Sequence, residues 1–225
     1  MPNWVTNRVV ITAKDENQAK KIRRELSTLD KSELTETMGK VLGTIPMEPW
    51  EKKESLKDKM EFLQKKDDSY FTIVFDFNKV VPMPPHSDKF FAKGGLGEEE
   101  RKKYGKNNWY DWSIENWGTK WNSCDGELVD EYDNKLIYEF NTAWACPYPI
   151  FTALSKKYHC VVKCYYYDED FGNNCGCYTA DDGDGELEEH DGDYDWLAEH
   201  FGEGLLEDHY MVKDENGWHY QEMEE

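Results

Sequence analysis

Segments rich in β-branched and aromatic residues recur along this chain, and each predicts a β-strand. They are residues 5–13, 70–77, 136–144 and 159–167, and the two arms of a hairpin over 210–220. The predicted strands and helices show no regular β-α alternation, which argues against a parallel sheet. We therefore expect an α+β fold, with a mostly antiparallel sheet and helices on one face.

Other segments carry apolar residues at helical spacing. They are residues 15–29, 32–42, 50–66, 147–158 and 194–201. In the first of them, the apolar residues are three, four and three positions apart, which is the stripe of an amphipathic helix. These residues are Ala19, Ile22, Leu26 and Leu29.

The negative charge is concentrated at the C-terminal end. The formal net charge is −20, and residues 168–225 contain 21 Asp and Glu against one base, Lys213. Residues 1–167 contain 26 acids and 26 bases, so they are neutral in sum. An acidic field of this density repels nucleic acid and anionic membranes, and it attracts basic proteins or cations.

The composition predicts a folded, cytoplasmic protein. Mean hydropathy is −0.91, but nine Trp and fourteen Tyr supply apolar area for a core. The first residues contain no apolar run typical of a signal peptide, and no stretch is apolar for long enough to span a membrane. The six cysteines are therefore expected to be reduced thiols in the cytosol.

Three segments together resemble a known family. They are Met1-Pro2-Asn3-Trp4 followed by Asn7-Arg8-Val9, the block from Trp112 to Asn122, and Phe140-Asn141-Thr142-Ala143-Trp144 followed by Pro147. These segments are similar to those of the Api92-like or YubB-like family, whose members are encoded by bacteriophages, plasmids and related mobile elements. The resemblance implies a ferredoxin-like domain and an accessory role in a mobile element. It implies no catalytic residue.

With this resemblance, the chain is predicted to have two parts. Residues 1–105 form an N-terminal α+β part, and residues 106–225 form a ferredoxin-like part that ends in the acidic lobe, residues 168–225. Large apolar residues such as Trp196 and Trp218 are interleaved with the acids. The acidic lobe is therefore expected to be folded and to pack with the rest of the chain as one unit.

The acidic lobe is the first candidate for a binding surface. Duplex DNA carries about one negative charge per 1.7 Å of its axis, and the lobe offers a comparable density on a rigid frame. We expect it to imitate DNA, to bind a basic, nucleic-acid-binding protein of the host and to inhibit that protein as an anti-defence factor. Direct contact with nucleic acid or membrane is not expected. The expected contact residues are Asp181, Asp182, Asp184, Glu186, Glu188, Glu189, Asp191, Asp193 and Asp195.

The Trp-rich region 109–144 is an alternative binding or scaffolding face. It mixes aromatic, amide and basic groups, and aromatic faces can stack on bases while a lysine contacts a phosphate. A competing interpretation places the Trp side chains in the core, with a tight turn at Gly118. The candidate residues of this face are Trp117, Lys120, Trp121 and Trp144.

Neither a cofactor nor a metal is expected. The pair Cys175 and Cys177 is atypical of structural zinc sites, which usually place two to four residues between cysteines. The glycine that an EF-hand loop requires at its sixth position is replaced by Leu187 or Trp196. The chain contains no nucleophile elbow, Walker loop, H-E-x-x-H or kinase motif. These absences disfavour an enzyme, although one that uses a divalent metal held by the acidic loops stays a third alternative.

Overall fold

An antiparallel sheet of six strands forms the centre of the protein. The computed structural model describes residues 3–29, 40, 52–55, 57, 71–85 and 97–221. In chain order its strands are β1 (Trp4–Thr12), β2 (Thr28–Leu29), β3 (Phe71–Ile73), β4 (Cys124–Tyr132), β5 (Lys135–Ala143), β6 (Val161–Asp168), β7 (Gly176–Asp181), β8 (Asp184–Glu189), β9 (Met211–Asp214) and β10 (Gly217–Tyr220). The central sheet has the order β4-β5-β1-β6-β7-β8, and all neighbours in it are antiparallel.

The helices are short and lie between these strands. They are α1 (Glu16–Leu26), α2 (Phe77–Val80), α3 (Glu98–Tyr104), α4 (Trp109–Trp117), α5 (Tyr148–Tyr158), α6 (Tyr194–Phe201) and α7 (Glu203–Asp208). Within the described ranges, none is long and apolar enough to cross a membrane. The helices predicted at 32–42 and 50–66 lie outside the described residues, apart from residues 40, 52–55 and 57.

The elements β1, α1, β4, β5, α5 and β6 form a βαββαβ unit. Its four strands stand in the order β4-β5-β1-β6, which is the ferredoxin-like arrangement. The predicted α+β fold class is therefore confirmed. Strand pairing also crosses the predicted boundary at residue 105, because β1 pairs with both β5 and β6. The division of the chain at that boundary stays a prediction.

One face of the sheet packs on α1 and α5. Alternate residues of β1 are buried, because successive side chains of a strand point to opposite faces. The helix predicted at 15–29 begins after Asp15, whose carboxylate accepts a hydrogen bond from Gln18 N. It ends at Leu26, because Ser27 is extended and β2 follows.

The segment 70–77, predicted as one strand, is a strand only in its first part. β3 is short, and Asp76 caps the helix α2 that follows. The rings of Phe75 and Phe77 are nevertheless buried in the main core. Phe75 has ring contacts, at centroid distances of 4.9–6.4 Å, with Phe77, Tyr138, Phe140 and Phe151.

The acidic lobe is folded and adds two strands to the central sheet. β7 pairs with β6, and β8 pairs with β7. The sequence did not predict this hairpin, since Asp, Glu and Gly are poor strand formers. The helix predicted at 194–201 and the hairpin predicted at 210–220 are both confirmed. The hairpin β9–β10 forms a two-stranded sheet of its own, separate from the central sheet.

Helix α6 lies on the face of the sheet opposite to α5. The ring of His200 lies 4.5 Å from Tyr165, which points to this face. Arg8 of β1 lies beneath the same helix: its Nη1 donates to His200 O (2.7 Å), and its Nη2 is 3.0 Å from Glu139 Oε2. A second apolar core holds the lobe together, and its buried members are Phe171, Cys175, Leu197, Leu206 and Met211.

Candidate functional site

Strand β8 is an edge strand, and all six of its residues are exposed. Glu188 pairs with Cys177, which pairs with Tyr165, so Glu188 lies on the face that carries α6. Asp184 and Glu186 share this face, because residues two apart on a strand point the same way. Such residues are about 6.7 Å apart. The three carboxylates therefore form a regular row, the β8 row, and Glu189 projects from the other face.

The end of β7 and the turn that follows it carry two more of the predicted acids. Asp181 and Asp182 are both exposed. The backbone of Asp182 is left-handed, with φ +46°, and its Oδ1 lies 2.6 Å from His159 Nδ1. One carboxylate at this end of the row therefore has an internal partner.

The remaining predicted acids stabilise the lobe itself. Asp191 accepts a hydrogen bond from a backbone N–H at 3.0 Å, and Asp193 caps α6 by accepting from another at 2.9 Å. Asp195 Oδ1 is 2.8 Å from Lys213 Nζ, and this hydrogen bond lowers the pKa of the Asp195 carboxyl. In contrast, the β8 row makes a long contact of 3.9 Å between Glu188 and His190. After a hydrogen bond with Tyr165, the charge of Glu188 also contributes to the raised pKa of Lys163.

Three of the four histidines of the lobe stack on aromatic rings. His190 and His200 both lie 4.5 Å from the ring of Trp196, and His209 lies 4.1 Å from Phe171. Within the part of the chain that the structure describes, no group of three or more His, Cys, Asp and Glu is placed to hold a metal ion.

The cysteines are free, and most of them are buried. Burial raises the pKa of Cys160 to about 11 and that of Cys175 to about 12. It also raises the pKa of Cys146 and Cys177. Because the thiolate is the nucleophile and the metal ligand, these thiols are poorly reactive at neutral pH.

We expect the native protein to react slowly with the thiol reagent DTNB at pH 7. Cys124 is the half-exposed thiol and should account for any fast phase, whereas all six should react after unfolding in guanidinium. The measurement is the time course of thionitrobenzoate release. Cys124→Ser should remove the fast phase. Rapid reaction of several thiols in this variant while it is still folded would contradict the prediction.

Among the Trp-rich candidates, Trp117 lies in the core. It is 3% exposed, and its indole Nε1 donates to Val81 O at 2.8 Å. Helix α4 ends directly after it at Gly118, whose φ of +78° is left-handed. A Cβ at Gly118 would also lie 2.8 Å from Pro149. This side chain therefore serves packing rather than a binding face.

The other three Trp-rich candidates come together at the surface. Lys120 Nζ lies 4.4 Å from the ring of Trp121 and 4.8 Å from that of Trp144. Tyr110 lies beside them, 5.9 Å from the same ammonium. Trp144 is 42% exposed. These aromatic faces therefore already interact with a cation of the protein itself, by cation–π contact.

A cleft on the α6 face of the sheet brings together residues that the sequence analysis did not single out. Its volume is about 270 Å³, and we call it the sheet cleft. Its floor is a cross-strand row, in which Thr6 of β1 lies opposite Asn141 of β5 and Tyr167 of β6. No local pattern could reveal it, since strand pairing alone joins these positions. The complete lining is Trp4, Thr6, Asp125, Asn141, Tyr167, Glu169 and His209.

Residues 116–209 match a family model described as the ferredoxin-like domain in Api92-like protein. This region is an Api92-like ferredoxin-like domain. The resemblance found in the sequence is thereby confirmed, and the Api92-like domain includes β8 and α6. A crystal structure of the protein Api92 from Yersinia pseudotuberculosis is similar at 10% identity and a TM-score of 0.49, over 84% of this chain and 99% of that chain. A likeness at that level carries no argument about function. A search of curated proteins found no match.

Proposed function

We propose that the acidic lobe binds a basic, nucleic-acid-binding protein of the bacterial host and occludes its nucleic-acid site. The observation that carries this proposal is the β8 row, a set of exposed carboxylates at regular spacing on the free edge of a sheet. Its spacing of about 6.7 Å is close to two phosphate steps of about 3.4 Å along one DNA strand. A groove lined with Lys and Arg would therefore meet one carboxylate for about every second phosphate position.

The β8 row has a rigid support, which favours recognition over simple solubilisation. Close packing holds the hairpin: a Cβ at Gly176 would collide with the backbone of Glu188, and one at Gly185 with the hydroxyl of Tyr178. Tyr178 in turn packs on Tyr148 of α5, with ring centroids 4.7 Å apart. A charge pattern fixed in this way loses little conformational entropy on binding.

The outer edge of β8 supports the same proposal. Its backbone N–H and C=O groups on that side pair with no other described strand. Such an edge can accept an extended segment by strand addition. A basic segment would then gain backbone hydrogen bonds as well as charge contacts.

We expect that neutralising the β8 row will abolish retention of the partner. The variant neutralises the three carboxylates of the row together with Glu189, the carboxylate on the other face of β8: Asp184→Asn, Glu186→Gln, Glu188→Gln and Glu189→Gln. Native protein and variant are immobilised and exposed to nuclease-treated bacterial lysate, followed by a rising salt gradient. A basic protein retained only by the native form should elute at moderate salt, because surface charges are screened. The eluted protein is then tested for loss of DNA or RNA binding when the native form is added.

The matched control removes the same number of charges elsewhere in the acidic lobe. Its substitutions are Glu199→Gln, Glu207→Gln, Asp208→Asn and Glu215→Gln, and all four positions are exposed. If this control loses the partner equally, net charge rather than the β8 row is responsible. Retention that ignores salt and disappears with Trp144→Ala would instead favour the Trp-rich face.

A further inference from the structure

The sheet cleft is rich in hydrogen-bond acceptors. The carboxylates of Asp125 and Glu169 stand in its lining. His209 Nδ1 lies 2.9 Å from Leu205 O, and a carbonyl only accepts, so this nitrogen donates. In the neutral imidazole the other nitrogen, Nε2, is then an acceptor. Thr6 Oγ1 donates to Asn141 Oδ1 at 3.2 Å, which leaves the hydroxyl lone pairs available. The cleft thus suits a ligand with several donors and a positive charge.

Aromatic rings of fixed position complete the lining. Tyr167 is held by Phe201, with centroids 4.7 Å apart. His209 stacks on Phe171 at an interplanar angle of 14°. The ring of Trp4 lies 5.9 Å from that of Trp121, and the carbonyl of Trp4 accepts from Glu169 N at 2.9 Å. Flat, immobile faces beside carboxylates favour a planar cation over a compact one, since guanidinium groups stack on aromatic rings as well as pairing with carboxylates.

The same face of the sheet already holds one guanidinium in such an environment. Arg8 lies two residues from Thr6 on β1 and packs 5.2 Å from the ring of Phe201. Its nitrogens contact the carboxylate of Glu139 and the carbonyl of His200. The sheet cleft repeats this combination of ring and carboxylate at the neighbouring row, without a cation of the described chain among its lining residues.

We propose that the sheet cleft binds the guanidinium of an arginine side chain from a partner protein. Its volume of about 270 Å³ is just below the range of about 300–1,000 Å³ that small-molecule pockets occupy, which fits one long side chain. The assignment rests on the proposed function only for the identity of the arginine donor, because proteins that bind nucleic acid carry many arginines on their binding surfaces. The β8 row would supply long-range attraction, and the sheet cleft would anchor one arginine.

The test is a titration of the full chain with N-acetyl-arginine methylamide, followed by NMR of the indole and amide signals. We expect saturable shifts of the Trp4 indole and of the Thr6 and Tyr167 amides. The double variant Asp125→Asn, Glu169→Gln should weaken binding about tenfold, since each exposed charge contact contributes modestly. Asn tolerates the left-handed backbone of residue 125, where φ is +51°. N-acetyl-lysine methylamide should bind several-fold more weakly than the arginine probe.

Matched variants separate this inference from the proposed function. Neutralising the β8 row should leave arginine binding unchanged, while the cleft double variant should keep salt-sensitive partner retention at reduced affinity. Absence of saturable shifts at Trp4, or equal binding by native protein and cleft variant, would overturn the arginine site and leave the β8 proposal standing. Equal affinity for the lysine probe would also overturn it, because the cleft would then detect charge alone.

Discussion

Deletion of residues 168–225 is expected to abolish cooperative unfolding of the remaining chain. The deletion removes β7, whose Tyr178 and Ala180 pack into the main core. It also removes Asp168, a buried carboxylate whose oxygens accept from Asn3 and Asn174. Strand β6 would become an unprotected edge, and exposed edges of this kind promote aggregation. Thermal unfolding followed by circular dichroism measures the effect.

The control for this deletion keeps the acidic lobe but removes charge from it. The full-length chain with all four carboxylates of β8 neutralised should retain a cooperative transition, because the four substituted side chains are exposed. That result would show that the lobe stabilises the sheet by covering it rather than through its charge. A cooperative transition of the 1–167 fragment near the full-length melting temperature would contradict the prediction.

Replacing Phe75 with alanine is expected to lower the free energy of unfolding by about 3–5 kcal/mol. The side chain is 0% exposed and lies where the segment 71–85 packs on β5 and α5. Its ring has an edge contact with Tyr138 at 5.2 Å and a tilted contact with Phe140 at 4.9 Å. Alanine would leave a cavity among rings that cannot all move inward, since the sheet and α5 fix their backbones. Urea titration with linear extrapolation measures the change.

Phe75→Leu is the matched control for the alanine variant. It preserves most of the apolar volume and should cost about 1.5 kcal/mol or less, as conservative core substitutions usually do. A loss below about 1 kcal/mol for Phe75→Ala would mean that this segment contributes little to the core, because full burial of a Phe side chain alone is worth more.

Local patterns in the sequence predicted the helices and strands that have one solvent-exposed face and one buried face. The strand at 136–144 was predicted because Leu136, Tyr138 and Phe140 alternate with Ile137 and Glu139. In the structure the first three line the core. The strand predicted at 159–167 is β6, displaced by one or two residues. The helix at 194–201 was predicted from Trp196, Leu197 and Phe201, and its Leu197 is fully buried. In these segments the buried residues follow the local periodicity, so the spacing of apolar residues in the sequence is sufficient to predict the element.

Local patterns were insufficient where partners distant in sequence override local preference. Strand β8 is acidic and contains glycine, but its pairing with β7 makes it a strand. Phe77 belongs to an aromatic alternation typical of a strand, yet Asp76 begins a helix there by accepting from Asn78 N. Trp117 and Trp144 come from one Trp-rich region, and one is core while the other is exposed. Composition cannot predict which of Trp117 and Trp144 is buried, because the exposure of each side chain is decided by the residues that pack against it.

By itself, the sequence determined the α+β class, the family resemblance and the concentration of charge in the acidic lobe. Periodicity, short motifs and charge can all be read directly from the order of the residues. Only the tertiary structure decided which carboxylates stand in a row and which are used within the lobe. It also decided that Thr6, Asn141 and Tyr167 share one floor. The physical reason is strand register, which sets the face and the neighbour of every side chain through hydrogen bonds between segments far apart in the chain.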